Sequence, residues 1–329
     1  MPIRGVPATI LVAPDAFKGT FSAAEVAEAI GRGLTAAART VDLCPIADGG
    51  EGTLEVLLEP LSLELRSAAV SDPLGRQVEA SFGIRGKLAV VESAAASGLS
   101  LVAPGERDPI RASTHGTGEL IVAAVAAGAG TVYVGVGGSA TTDGGAGAIR
   151  AIRAAGGLGR GQLVVLCDVR TAFEDAARVF GPQKGSDEGD VRRLTRRLHD
   201  LARRLPRDPR GVPMSGAAGG LAGGLWAAFG AELAAGAPFV LDAIGFDSRM
   251  RAARAVLTGE GKLDSQSLAG KAVSEVATRA RQAGVPCHAI VGVRELDSFG
   301  ARVLDLQAIV EARTTAEIER AAERLADVI

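Results

Sequence analysis

The 329-residue chain has no asparagine, eleven aromatic residues, three histidines and three cysteines. His115, His199 and His288 are too scattered to form a zinc set, and Cys44, Cys167 and Cys287 lie too far apart for a metal cluster or a disulfide framework. Net charge is nearly absent: 36 Lys and Arg against 38 Asp and Glu leave −2. A chain so balanced has no global field for nucleic acid or an anionic membrane. The most basic stretch, Arg192 to Arg204, holds no aromatic residue on which a base could stack, and reads as the solvated face of a helix. Two uncharged stretches, Ile121–Thr142 and Gly211–Ala231, are long enough to span a bilayer, but glycine and Pro213 break them into pieces expected to be buried. The N-terminus lacks the pattern of a signal peptide, so a cytoplasmic location is expected, with no nucleic-acid or membrane partner. Lysine is also scarce, at five residues against 31 arginines. All five sit beside glycine, and four of them, Lys18, Lys184, Lys262 and Lys271, do so in loop-like stretches, where a compact ammonium suits phosphate better than a planar fork.

What the chain has in quantity is glycine, 44 residues, within an ordinary globular balance of 47% apolar and 22% charged residues. Its length suits two domains. Short β-branched runs alternate with amphipathic stretches, which is the signature of an α/β protein. Thr9–Ala13 predicts a first strand, and Ser22 with Glu25 predicts a capping box opening a helix. Thr40–Pro45 predicts a second strand. Val78–Ile84 and Leu88–Val91 predict a hairpin. Toward the C-terminus Ala255–Thr258, Cys287–Val293 and Ala308–Val310 predict further strands, and Thr314 with Glu317 a second capping box. The similar rhythm at both ends predicts one doubly wound domain from residues 1–67 and 240–329. A second α/β domain, residues 68–239, would be inserted into it.

Several glycine loops follow predicted strands, where doubly wound sheets collect ligands. Asp48-Gly-Gly-Glu-Gly52 and Asp143-Gly-Gly-Ala-Gly147 share the pattern D-G-G-x-G. Consecutive glycines let backbone N–H groups converge on an anion, and a carboxylate beside them can hold magnesium or accept a hydroxyl proton. Gly259-Glu-Gly-Lys-Leu-Asp264 and Phe180-Gly-Pro-Gln-Lys-Gly185 offer the same mixture. Other templates fail. Gly135-Val-Gly-Gly-Ser-Ala140 fits G-x-G-x-x-A but does not run into a helix, Gly270-Lys271 lacks the glycine and hydroxyl of a P-loop, and no G-x-S-x-G is present.

Ten segments in order resemble the bacterial glycerate kinase family: APDAFKGTF (13–21), PIADGGEGT (45–53), SDPLGR (71–76), ESAAASGL (92–99), HGTGELI (115–121), GVGGSATTDGGAGA (135–148), CDV (167–169), FGPQKG (180–185), SGAAGGLAGGL (215–225) and TGEGKLDSQSLAGKA (258–272). The resemblance implies ATP-dependent phosphorylation of D-glycerate, often at the 2-hydroxyl, with magnesium. It also implies a flavodoxin-like domain interrupted by an inserted α/β domain. The family usually writes Ser at Ala16, Asn at Thr142 and Asp-Asn-Pro at Arg170–Ala172, and its segment between Ile152 and Val164 is longer. On this resemblance Asp48 or Asp143 is expected as the hydroxyl-orienting base, and Glu260 with Asp264 near magnesium. Lys18, Lys262 and Lys271 are expected to neutralise phosphate or carboxylate. Asp15, Gly49, Gly50, Glu51, Gly137, Gly138, Ser139 and Lys184 are expected to bind substrate or nucleotide. The alternative is a paralogue that binds a hydroxy acid or nucleotide without turnover.

Overall fold

The computed structural model describes residues 9–269 and 271–329. These form eleven strands: β1 (Ile10–Pro14), β2 (Val41–Leu43), β3 (Glu64–Ser71), β4 (Gln77–Arg85), β5 (Leu88–Glu92), β6 (Thr131–Gly135), β7 (Gln162–Cys167), β8 (Glu232–Ala235), β9 (Ala255–Leu263), β10 (Cys287–Arg294) and β11 (Leu306–Glu311). The chain divides into two compact units. Residues up to Asp48 join Ala237–Ile329 in the first, and Gly49–Gly236 make the second.

The first unit carries a five-stranded sheet in the order β11-β10-β9-β1-β2, with every pairing parallel. Numbered within the unit, this is the 2-1-3-4-5 order of flavodoxin-like folds. Helices cover such a sheet on both faces, so β1 is an unbroken buried apolar run rather than an alternating one. The helix Ala23–Ala36 opens with the predicted box. Ser22 Oγ accepts from the Glu25 N–H, and Glu25 Oε2 accepts from the Ser22 N–H at 2.8 Å. Its apolar stripe, Val26, Ile30 and Leu34, packs with Ile10, Val12, Leu257 and Ile318.

The second unit carries six strands in the order β3-β4-β5-β6-β7-β8. The hairpin and its neighbour are antiparallel, and β5 to β8 are parallel. Its core joins Phe82, Val91, Leu120, Ile121, Val134, Ile152, Val165, Leu221 and Leu225. The basic helix Glu188–Ala202 buries Leu194, Leu198 and Ala202 against Phe173, leaving its arginines in solvent.

Two features differ from the sequence-based expectation. The division at 67/68 puts residues 49–67 with the first domain. In the structure β3 pairs along its whole length with β4, which ties that segment to the second unit. The segment expected as a loop after Thr258 is strand as far as Leu263, because β10 pairs with it from Gly259 to Leu263.

Candidate functional site

In a 2-1-3-4-5 sheet the connections diverge between the first and third strands, and ligands bind outside the carboxyl ends there. In the first unit that point lies between β1 and β9, and a cavity of about 340 Å³ opens on it. Asp15, Phe17, Lys18 and Thr20 line it from the end of β1. Asp48 lines it from beyond β2, Glu260 and Lys262 from β9, Lys271 from the following segment, Val293 from β10 and Arg313 from beyond β11.

The backbone sets each of these side chains. The Asp15 N–H donates to the Gly259 carbonyl at 2.8 Å, so the β1 ladder continues to the cavity floor. A tight turn then closes, with Phe17 and Phe21 exchanging backbone hydrogen bonds and Thr20 Oγ1 donating to the Phe17 carbonyl. Lys18 stands on this turn, and its Nζ lies 2.7 Å from Asp48 Oδ2. Asp48 is 1% exposed, so a buried carboxylate meets an ammonium whose stem reaches in from solvent.

On β9 the period of two puts Glu260 and Lys262 on one face. The glycines on either side of Glu260 are packed closely against neighbouring backbone. A Cβ on Gly259 would fall 2.2 Å from the Ile290 carbonyl, and one on Gly261 would fall 3.1 Å from Phe17 Cα. They let β9 pass close to its neighbours. Lys262 is shared by Glu295 at 2.9 Å and Asp264 at 3.7 Å.

Two carboxyls in this cavity have altered acidity. Burial, and next the charge of Asp48, pushes Asp15 up to about 8, against the pull of Lys18. Burial pushes Glu260 up to about 7, opposed by a hydrogen bond from Ser267 and by Lys271 and Lys18. Glu260 Oε1 is buried without a hydrogen-bond partner among the described residues, so one carboxylate oxygen is left over for a ligand. No group of three or more His, Cys, Asp or Glu side chains is placed to hold a metal among the described residues. Magnesium takes one or two carboxylates and completes its shell with phosphate and water. Glu260, with its spare oxygen, and Asp264 fit that donor set.

The structure thus brings together Asp15, Lys18, Asp48, Glu260, Lys262 and Lys271, with Asp264 beside Lys262. The remaining expected residues belong to the second unit. Asp143 is 8% exposed and saturated. Its two oxygens accept from the N–H groups of Thr114, Gly145 and Gly147, all at 3.0 Å, and from Thr114 Oγ1. Lys184 is 2% exposed, and its Nζ donates to Ser139 Oγ at 3.0 Å and to the Thr141 carbonyl. Burial draws its ammonium down to about 7, which the charge of Asp143 resists. Gly49 and Gly50 pack on the strand that leads to Gly137 and Gly138. A Cβ on Gly137 would fall 2.7 Å from Gly50 Cα, and one on Gly138 would fall 3.0 Å from Glu51 Oε2. Glycine there lets two loops touch.

Arg313 was missed. Its position after a parallel strand, just ahead of a predicted capping box, was the available signal. Glu92 was missed too. It accepts from the Leu54 N–H at 2.7 Å, and burial pushes its carboxyl up to about 7.

Residues 10–156 and 157–328 match the profile of the glycerate kinase family. A glycerate 2-kinase of Escherichia coli (strain K12) is 39% identical over 323 residues, covering 86% of this chain and 84% of that protein. A glycerate kinase of Bacillus subtilis (strain 168) is 39% identical over 328 residues, covering 88% and 86%. A crystal structure assigned as glycerate kinase 2 from Salmonella typhimurium LT2 matches with a TM-score of 0.79 at 33% identity, covering 97% of each chain.

Proposed function

This chain belongs to the glycerate kinase family and is a small-molecule kinase, and we propose that it transfers the terminal phosphoryl group of ATP to the 2-hydroxyl of D-glycerate. The observation that carries this reading is the Lys18–Asp48 pair in a cavity that also holds two acidic groups and three further cations. Phosphoryl transfer asks little covalent chemistry of a protein. It asks for an oriented hydroxyl, neutralised phosphates and excluded water.

Asp48 is the group suited to orient the acceptor hydroxyl and take its proton. Lys18 holds the carboxylate in place. Asp143, the other expected base, has no oxygen to spare, and we assign it to holding its loop. Asp15, kept neutral near pH 7 by burial, can donate a hydrogen bond to a ligand oxygen. Lys262 and Lys271 neutralise phosphate. Glu260 and Asp264 would hold magnesium, which when bound neutralises phosphate oxygens. The reading goes with a cytoplasmic enzyme acting on small molecules. No helix among the described residues is long and apolar enough to cross a membrane.

Phosphorus NMR of a reaction with D-glycerate and Mg-ATP tests activity and position together. The expected product is 2-phosphoglycerate. A 3-phosphoglycerate signal moves the transfer to the other hydroxyl, and no new phosphate ester with any short hydroxy acid ends the reading.

A further inference from the structure

The cavity is larger than its acceptor. Adjacent strands lie about 4.8 Å apart, so the ends of β1 and β11, three ladders apart, are separated by about 14 Å. With carbon–carbon bonds near 1.5 Å, a three-carbon acid spans only about 5 Å. A hydroxyl placed against Asp48, beyond β2, therefore leaves the β10 and β11 side of the cavity for another ligand. Arg313 lines that side.

The surroundings of Arg313 hold its backbone and leave its head available. The Ala312 N–H donates to the Val291 carbonyl at 2.9 Å, continuing the ladder. The Arg313 N–H donates to Glu317 Oε2 at 2.7 Å, and Thr314 Oγ1 accepts from the Glu317 N–H. The helix start is thus capped by its own side chains. The guanidinium is 70% exposed, and Glu311 stands 4.0 Å from it. By contrast, Lys18 is 2.7 Å from Asp48 and Lys262 is 2.9 Å from Glu295. Arg313 is the single guanidinium among the residues lining the cavity. A planar fork of N–H donors suits the oxygens of a phosphate chain.

We infer that Arg313 binds the phosphate chain of the nucleoside triphosphate, at the end of the cavity away from Asp48. This rests on the cavity being the phosphoryl-transfer site. Calorimetric titration of the full chain with ADP and with inorganic tripolyphosphate, beside steady-state kinetics for D-glycerate, tests it in Arg313→Met and Arg313→Lys. Arg313→Met is expected to weaken both phosphate ligands by at least about tenfold, and Arg313→Lys, which keeps the charge without the fork, by about threefold. The KM for D-glycerate should stay within about twofold in both, because the acceptor is held elsewhere. Both variants should melt with the wild type, since the side chain is exposed. If Arg313→Met melts early, Arg313→Lys carries the comparison. Unchanged affinity for ADP and tripolyphosphate overturns the inference. So does a raised KM for glycerate with nucleotide affinity intact, which would give Arg313 to the acceptor carboxylate. A wild type that phosphorylates no hydroxy acid, while Arg313→Met still loses tripolyphosphate, removes the proposed function and leaves only phosphate binding at Arg313 standing.

Discussion

Asp48-Gly-Gly-Glu-Gly52 and Asp143-Gly-Gly-Ala-Gly147 are one pattern with two outcomes. Each follows a parallel strand and precedes a helix. After Asp143 the helix starts at Ala146, with Gly145 as its N-cap in the left-handed region, so the carboxylate lies over the first turn. It caps that turn through the Gly145 and Gly147 N–H groups, and it takes the Thr114 N–H at the start of a second helix. Unpaired N–H groups at helix starts attract a carboxylate, and here two helices consume one. After Asp48 the helix starts at Thr53, two residues later in the pattern, with Gly52 as its N-cap. Asp48 instead meets Lys18 at the mouth of a cavity. Two residues of spacing separate a carboxylate that can act on a ligand from one used up in holding a loop.

The largest effect should come from testing this contrast at Asp48. Asp48→Asn is expected to lower kcat/KM for D-glycerate by about a thousandfold, in the range of a lost general base, with the melting temperature nearly unchanged. Asp143→Asn should do the reverse. Its amide would turn an NH₂ toward backbone N–H groups, costing about 2–4 kcal/mol and several degrees of melting temperature. Its kcat, measured on folded protein at low temperature, should hold. If Asp143→Asn instead abolishes turnover at an unchanged melting point, the two aspartates have exchanged roles.

A smaller effect sharpens the first unit alone. Lys18→Arg keeps the charge but not the compact ammonium that reaches Asp48. It should lower kcat/KM by at least about tenfold, some 1.4 kcal/mol, with little change in stability. Kinetics like the wild type would show that Lys18 only covers the turn.

The mildest test is a pH series in the second unit. Burial raises the Glu92 carboxyl to about 7 from 4.5. The native state then keeps a proton that the unfolded chain gives up, so this group's contribution to stability falls as pH rises from about 4.5 through 7. Glu92→Gln removes that dependence and can still accept from the Leu54 N–H. Its melting temperature should gain on the wild type between pH 5 and pH 8. A constant difference across that range would mean that Glu92 is not protonated in the fold.

Much of this was legible before any coordinates. The capping boxes at Ser22 and Thr314 depend on residues three apart, and both formed. The β4–β5 hairpin and the alternation of strand and helix also follow local rules. The GEGKL segment was not legible in this way. Its glycines and charges look like a loop, and they become strand because β10 lies alongside and Ile290 and Phe17 leave no room for a Cβ. Lys184 had the same local signal as Lys18, and the structure buries one and leaves the other at a cavity.

The sequence by itself determined the α/β class, the family and the residue types available for phosphoryl transfer, because periodicity, capping and ordered motifs are written in neighbouring residues. Only the tertiary structure decided which of those residues face a ligand. That choice depends on which strands lie side by side and on how many backbone donors reach each carboxylate. Both are set by residues far apart in the chain, such as Lys18 with Asp48, Thr114 with Asp143, and Gly259 with Ile290.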